Sequence, residues 1–216
     1  MQVWRRLHRS LEDFLDRHGG TVLLLATLFV AGVIFGALAV SGVAVRDKAE
    51  LMAWIRPALG AMADPPAGAG MLLLKQAMLR KLAWLGLFAA LGISLVGVPG
   101  VMLLTLLRGF VSGFTVGFMV AEMGLAGLGV AIAGHLPQSL LELPALLIAA
   151  TASAVFSSQV IRSWLERRRV TPFYPTLARF AGTLLATAVV LLLAGLVESY
   201  VSPAFVRLAA TFWQGS

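Results

Sequence analysis

The sequence contains no cysteine, and charged residues make up only 12% of its 216 positions. The absence of cysteine excludes disulfides, thiol nucleophiles and metal sites built on thiolates. Charge is scarce because 59% of the residues are hydrophobic, which gives a mean hydropathy of +0.91. Soluble domains carry charge at about one quarter of their positions. The composition therefore predicts an integral membrane protein.

Catalytic and nucleic-acid-binding patterns are also missing from the sequence. It has no H-E-x-x-H motif and no serine at motif spacing from a base. The net charge of +7 lies in arginine clusters beside apolar runs, without an interleaved aromatic surface that could read bases. We therefore predict no enzyme activity, no cofactor, no metal and no nucleic-acid partner. An intramembrane hydrolase would need a metal or a nucleophile that this sequence does not display.

The apolar runs predict one all-α membrane domain over residues 1–216, a helical bundle of about five transmembrane helices. An amphipathic interfacial helix at 1–20 is expected to end at Gly19-Gly20. Residues 46–81 are expected to form an extramembrane loop of two short amphipathic helices, which either lie flat on lipid or dock another protein. The predicted spans lie near residues 21–45, 82–96, 101–123, 138–161 and 177–197.

A broken segment precedes the predicted fourth span. The stretch 134–145 places a histidine, a glutamine, a glutamate and two prolines inside an apolar tract. Because proline removes a backbone donor and a carboxylate is costly in hydrocarbon, other helices must compensate for this stretch. We expect a half-helix or re-entrant segment that ends at Pro137.

Successive spans cross the membrane in opposite directions. This predicts that Glu122, Glu142 and Glu198 face the same side of the membrane. The expected polar intramembrane cluster comprises Arg108, Glu122, His135, Gln138, Glu142, Glu198 and Tyr200. These groups either satisfy one another and cap helix ends, or they bind a cation, a lipid head group or a partner.

Small residues predict where helices pack closely. Gly32 and Gly36 form a small-xxx-small pair in the first span, and Gly109, Gly113 and Gly117 form a ribbon on one face of the third. Such faces allow a neighbouring helix to approach, and a homodimer is the expected oligomer.

Basic residues set the expected orientation. Arginines at positions 5, 6, 9 and 17 precede the first span, and Arg167, Arg168 and Arg169 follow the fourth, where we expect anionic lipid to bind. This pattern places the amino terminus in the cytoplasm and the carboxy terminus outside it.

The membrane portion resembles the stage II sporulation protein M family from about Leu82 to Pro203. The similarity lies in Leu136 to Ala145, which includes Glu142-Leu143-Pro144-Ala145, in the glycine-rich run Arg108 to Gly113 within the third span, and in the late run Glu198 to Pro203. The chain departs from the family pattern at Gln138 and Ser139, where histidine and glycine are usual, and at Arg108, where asparagine is commoner.

The resemblance implies a five-span protein of the bacterial inner membrane. In spore formers such proteins act with two peptidoglycan-degrading partners, which the membrane protein recruits and positions. We therefore expect a membrane scaffold for envelope proteins. The alternative is a small transporter or channel subunit with a polar site around Arg108, Glu142 and Glu198.

Overall fold

The computed structural model describes residues 2–44, 46–53, 57, 69–165 and 173–201, and this part of the chain is helical with no strand. Four long helices form the fold: α1 (Gln2–Ala39), α2 (Ala69–Ile93), α3 (Gly97–Leu165) and α4 (Phe173–Leu196). A 3-10 turn, Val40–Gly42, follows α1, and a π-helical turn, Val197–Val201, follows α4. Residues 46–53 are also helical.

Five segments of these helices are long and apolar enough to cross a membrane, which confirms the predicted fold class. They are span 1 (Asp16–Gly42), span 2 (Met71–Ile93), span 3 (Gly97–Leu125), span 4 (Ser139–Ser163) and span 5 (Tyr174–Ser199). Span 4 is the central one, because more than half of its most apolar stretch is buried inside the bundle, against a third or less for the others.

Three predicted boundaries differ from the structure. Helix α1 continues through Gly19-Gly20, so the predicted interfacial helix and span 1 are one rod. Helix α2 begins at Ala69, so residues 69–81, which were expected in the extramembrane loop, belong to the helix of span 2. The turn between spans 2 and 3 lies at 94–96 rather than at 97–100. Pro99 instead occupies the first turn of α3, where a missing backbone N–H costs nothing.

The helix break before span 4 lies at Gly124 and not at Pro137. Gly124 has φ 59° and ψ −137°, a conformation that L side chains rarely adopt. The backbone from 125 through Pro137 into span 4 is helical. Proline is tolerated inside membrane helices when neighbouring groups satisfy the backbone it disrupts.

Spans 1 and 3 pack backbone against backbone through the predicted glycines. A Cβ atom added at Gly36 would lie 2.7 Å from Phe114 N, and one added at Gly117 would lie 2.9 Å from Ala37 Cα. A Cβ atom added at Gly32, Gly109 or Gly113 would also overlap backbone atoms of the opposite span. The two glycine faces therefore meet each other within one chain, so they are not free to form a dimer.

The core joins all five spans. Its buried members are Leu25, Leu85, Phe88, Val101, Ala145, Leu146, Ala149, Ala150, Ala154 and Leu191. Phe156 of span 4 stacks on Phe180 of span 5, with ring centroids 4.5 Å apart. At the turn between spans 2 and 3, Ser157 Oγ donates a hydrogen bond to Ser94 O at 3.0 Å, which ties span 4 to that turn.

Candidate functional site

A buried ion-pair network connects spans 2, 3 and 4. Lys81 Nζ, on span 2, donates to Glu142 Oε2 on span 4. Arg108 Nη2, on span 3, donates to the other oxygen of the same carboxylate, Glu142 Oε1. One carboxylate therefore holds two cations from two different helices.

The network extends to span 5 through Glu198. This glutamate lies on the π-helical turn Val197–Val201. Its Oε2 atom is 2.9 Å from Lys81 Nζ, and its Oε1 atom accepts a hydrogen bond from Arg80 Nη2. Lys81 thus lies between the two carboxylates, and four of the five spans meet at this network.

Most of the network is withdrawn from solvent. The side chains of Lys81 and Glu142 are 2% and 6% exposed, and those of Glu198 and Arg108 are 11% and 15% exposed. A single charged side chain at the centre of a membrane helix costs on the order of 3 kcal/mol or more. Each buried charge here contacts an opposite charge. The ion pairs therefore offset the free-energy cost of burying a single charged side chain.

Arg108 has further contacts within the bundle. Its guanidinium Cζ lies 5.3 Å from the ring centroid of Trp84 on span 2, which is cation–π distance. Ser112 Oγ donates to the backbone carbonyl of Arg108 at 3.1 Å. Arg108 Nε is buried and has no hydrogen-bond acceptor among the described residues. The arginine is thus fixed from the sides of spans 2 and 4 rather than extending to a helix end.

The structure brings together three of the predicted cluster residues, namely Arg108, Glu142 and Glu198. Glu122 contacts a different cation: its Oε1 atom lies 3.7 Å from Lys48 Nζ, in the helical segment 46–53. The side chains of His135, Gln138 and Tyr200 lie outside the described part of the chain, as do Arg167, Arg168 and Arg169.

Two members of the network, Arg80 and Lys81, were not predicted as site residues. Both lie within residues 46–81, which the sequence predicts to be an extramembrane loop. A signal for their position lies in the residues that precede them. Met71 to Leu74 and Ala77 to Leu79 are apolar, so the apolar run of span 2 begins before the two cations.

An apolar cavity of about 460 Å³ lies between span 3 and the helix that leads into span 4. It is lined by Val116, Ala131, Ile132, Ser139, Leu140, Leu143 and Pro144. None of these described lining residues is charged, which distinguishes the cavity from the ion-pair network.

The arrangement of the charged side chains limits what the ion-pair network can bind. Within the described ranges, no group of three or more His, Cys, Asp or Glu side chains is placed to hold a metal ion. The two carboxylates of the network are each held by two cations, an arrangement that cross-links helices. The site can therefore fix the relative positions of spans 2 to 5. It can also bind an ion, because its cations outnumber its carboxylates.

Comparison with known proteins identifies one family. The sequence model described as Stage II sporulation protein M matches residues 25–203, which include all of the network and both glycine faces. No curated protein and no solved structure matches the chain significantly.

Proposed function

Since the chain belongs to the stage II sporulation protein M family, we propose that it is a membrane scaffold that recruits or positions envelope proteins. Peptidoglycan-remodelling enzymes are the proposed class of partner. The observation that carries this proposal is the ion-pair network, in which Lys81 pairs with both Glu142 and Glu198. A bundle whose helices are cross-linked in this way suits a platform that holds its outer segments in fixed positions.

The segment between spans 1 and 2 is the proposed docking region. Its helical part, 46–53, presents exposed Arg46, Asp47 and Glu50, while Lys48 pairs with Glu122 at the end of span 3. This ion pair connects the segment to the bundle, so a protein bound there would be held at one side of the membrane.

Replacing residues 49–68 by a glycine-serine linker of equal length tests the scaffold, because it removes most of the docking region and retains Lys48, the residue that pairs with Glu122. Chemical cross-linking in cells, followed by purification and mass spectrometry, is expected to show the loss of a peptidoglycan hydrolase that co-purifies with the unaltered protein. Leu95→Ser, in the exposed turn at the opposite end of the bundle, is the control and should retain that partner. An unchanged set of co-purifying envelope proteins would count against the scaffold.

The proposed location is the bacterial cytoplasmic membrane, with the amino terminus in the cytoplasm and the carboxy terminus outside. Support comes from the arginines at 5, 6, 9 and 17 and from the basic run after span 4. The odd number of candidate spans supports termini on opposite sides, because each crossing reverses the side of the chain.

A transporter or channel subunit is the second candidate, and the buried charges of Arg108 and Glu142 favour it. Charged groups within membrane spans often lie on ion or proton pathways. Purified protein reconstituted in liposomes would then conduct an ion or solute, and Glu142→Gln would abolish the flux. A scaffold predicts no flux from either protein.

A further inference from the structure

The ion-pair network carries an unequal number of positive and negative groups. Arg80, Lys81 and Arg108 supply three cations, whereas Glu142 and Glu198 supply two carboxylates. Among the described residues, one positive charge therefore has no carboxylate of its own within the network. A net charge inside a membrane bundle is costly unless a further anion compensates for it.

The surplus charge is accessible only at Arg80. Its side chain is 59% exposed, whereas the other two cations, Lys81 and Arg108, are 2% and 15% exposed. One terminal nitrogen of Arg80 contacts Glu198. The guanidinium has five N–H donors in a planar fork, and among the described residues Glu198 is the one acidic partner it contacts. This geometry matches the oxygens of a phosphate group, which arginine binds through two parallel hydrogen bonds.

Exposed leucines flank Arg80 in the sequence of span 2. Leu79 and Leu82, its neighbours on span 2, are 58% and 41% exposed. Span 5 lies directly beside span 2 here, since a Cβ added at Gly195 would be 3.5 Å from Met78 Cγ. Next to Gly195, Leu196 is also exposed. An exposed guanidinium flanked by exposed leucines complements a ligand that has an anionic head and hydrocarbon tails.

We propose that Arg80 binds the phosphate of an anionic phospholipid, whose acyl chains lie against the outward faces of spans 2 and 5 beside Leu79, Leu82 and Leu196. The lipid phosphate is then the third anion of the network and neutralises its surplus charge. This site is separate from partner recruitment and does not depend on the scaffold function.

Native mass spectrometry of the full chain in a nonionic detergent tests this site. The protein is titrated with phosphatidylglycerol and with phosphatidylcholine of the same acyl chains. We expect tighter binding of the first phosphatidylglycerol, and we expect Arg80→Gln to weaken it about fivefold, the effect of roughly 1 kcal/mol for one basic residue at a membrane surface. Arg46→Gln is the matched control, because Arg46 is an exposed arginine outside the five spans and makes no ion pair with another described residue. It should leave the preference unchanged.

Four results would overturn the proposal. Equal affinity of the unaltered protein for the two lipids would do so whether or not any variant folds. An unchanged preference in Arg80→Gln would assign the preference to other groups, and an equal loss in Arg46→Gln would assign it to general electrostatics. Displacement of the lipid by millimolar inorganic phosphate would show that the site takes free phosphate. Arg80→Lys keeps the charge without the fork, and its affinity should lie between those of the unaltered protein and Arg80→Gln.

Discussion

Glu142 accepts hydrogen bonds from Lys81 and Arg108 at the same time, one on each carboxylate oxygen. The two cations come from spans that precede and follow the turn at 94–96, and the carboxylate comes from the central span. A single side chain thus holds a helical hairpin against the core of the bundle.

Glu142→Ala should be the most damaging single change in the network. It leaves Lys81 and Arg108 as buried cations that have lost their shared acceptor, and breaking such a pair costs about 3 kcal/mol or more. Thermal unfolding of the protein in detergent, followed by circular dichroism, is the measurement. Glu122→Ala is the control, because its pair with Lys48 spans 3.7 Å and its side chain is 27% exposed. The control should lose less than about 1 kcal/mol.

Lys81→Met should be tolerated much better than Glu142→Ala. After this change Glu142 keeps Arg108 and Glu198 keeps Arg80, so each carboxylate still has a cation. Methionine has a similar length and leaves no unpaired charge, so we expect a loss of about 1 kcal/mol in the same unfolding assay. A loss as large as that of Glu142→Ala would mean that the arginines cannot satisfy the carboxylates without Lys81.

The interface between spans 1 and 3 predicts a contrast between two glycines. Gly113→Ala places a methyl group against the backbone of Val33, where the neighbour cannot rotate away, so the free energy of unfolding should fall by about 1–3 kcal/mol. Gly182→Ala, on span 5, meets nothing within 4 Å and should be neutral or slightly stabilising. Similar losses for both variants would contradict the close contact of the two helices.

Gly124→Ala tests the helix break without any steric change. A Cβ at this position has no atom within 4 Å, but φ is 59°. The cost is therefore purely conformational, on the order of 1–3 kcal/mol. Unfolding in denaturant measures it, with Gly86→Ala as a helical glycine that also has open space. Equal stabilities would indicate that residue 124 is not in this conformation.

The absence of cysteine allows the orientation to be measured with single introduced cysteines. With the amino terminus in the cytoplasm, Asp47→Cys should react with an impermeant maleimide on intact spheroplasts. Leu95→Cys, in the turn between spans 2 and 3, should react only after permeabilisation. Both positions are exposed, so accessibility is matched. The reverse pattern would invert the proposed topology.

The features predicted best from sequence are those that a single helix carries by itself. Long apolar runs predict five spans, and glycines four residues apart predict a close helix contact, because both depend on local length and spacing. Gly36 and Gly113 are examples, since each contacts the backbone of the opposite span.

The features predicted poorly depend on partners that are distant in sequence. Lys81 was expected outside the membrane, because an isolated lysine is too costly inside a span. It lies inside because Glu142 and Glu198 compensate for it from helices much later in the chain. The break at Gly124 was missed for a related reason. Pro137 has the stronger intrinsic tendency to break a helix, but the backbone is helical there.

The order of charges along the chain has a consequence for how the protein is made. Arg80, Lys81 and Arg108 leave the ribosome before Glu142, and Glu198 is synthesised only as the fifth crossing is completed. The early helices therefore enter the translocon carrying charges whose partners do not yet exist. A truncation before Glu198 should leave these nascent segments dependent on insertion factors, because the last helix supplies one of the two acids on which the earlier ones rely.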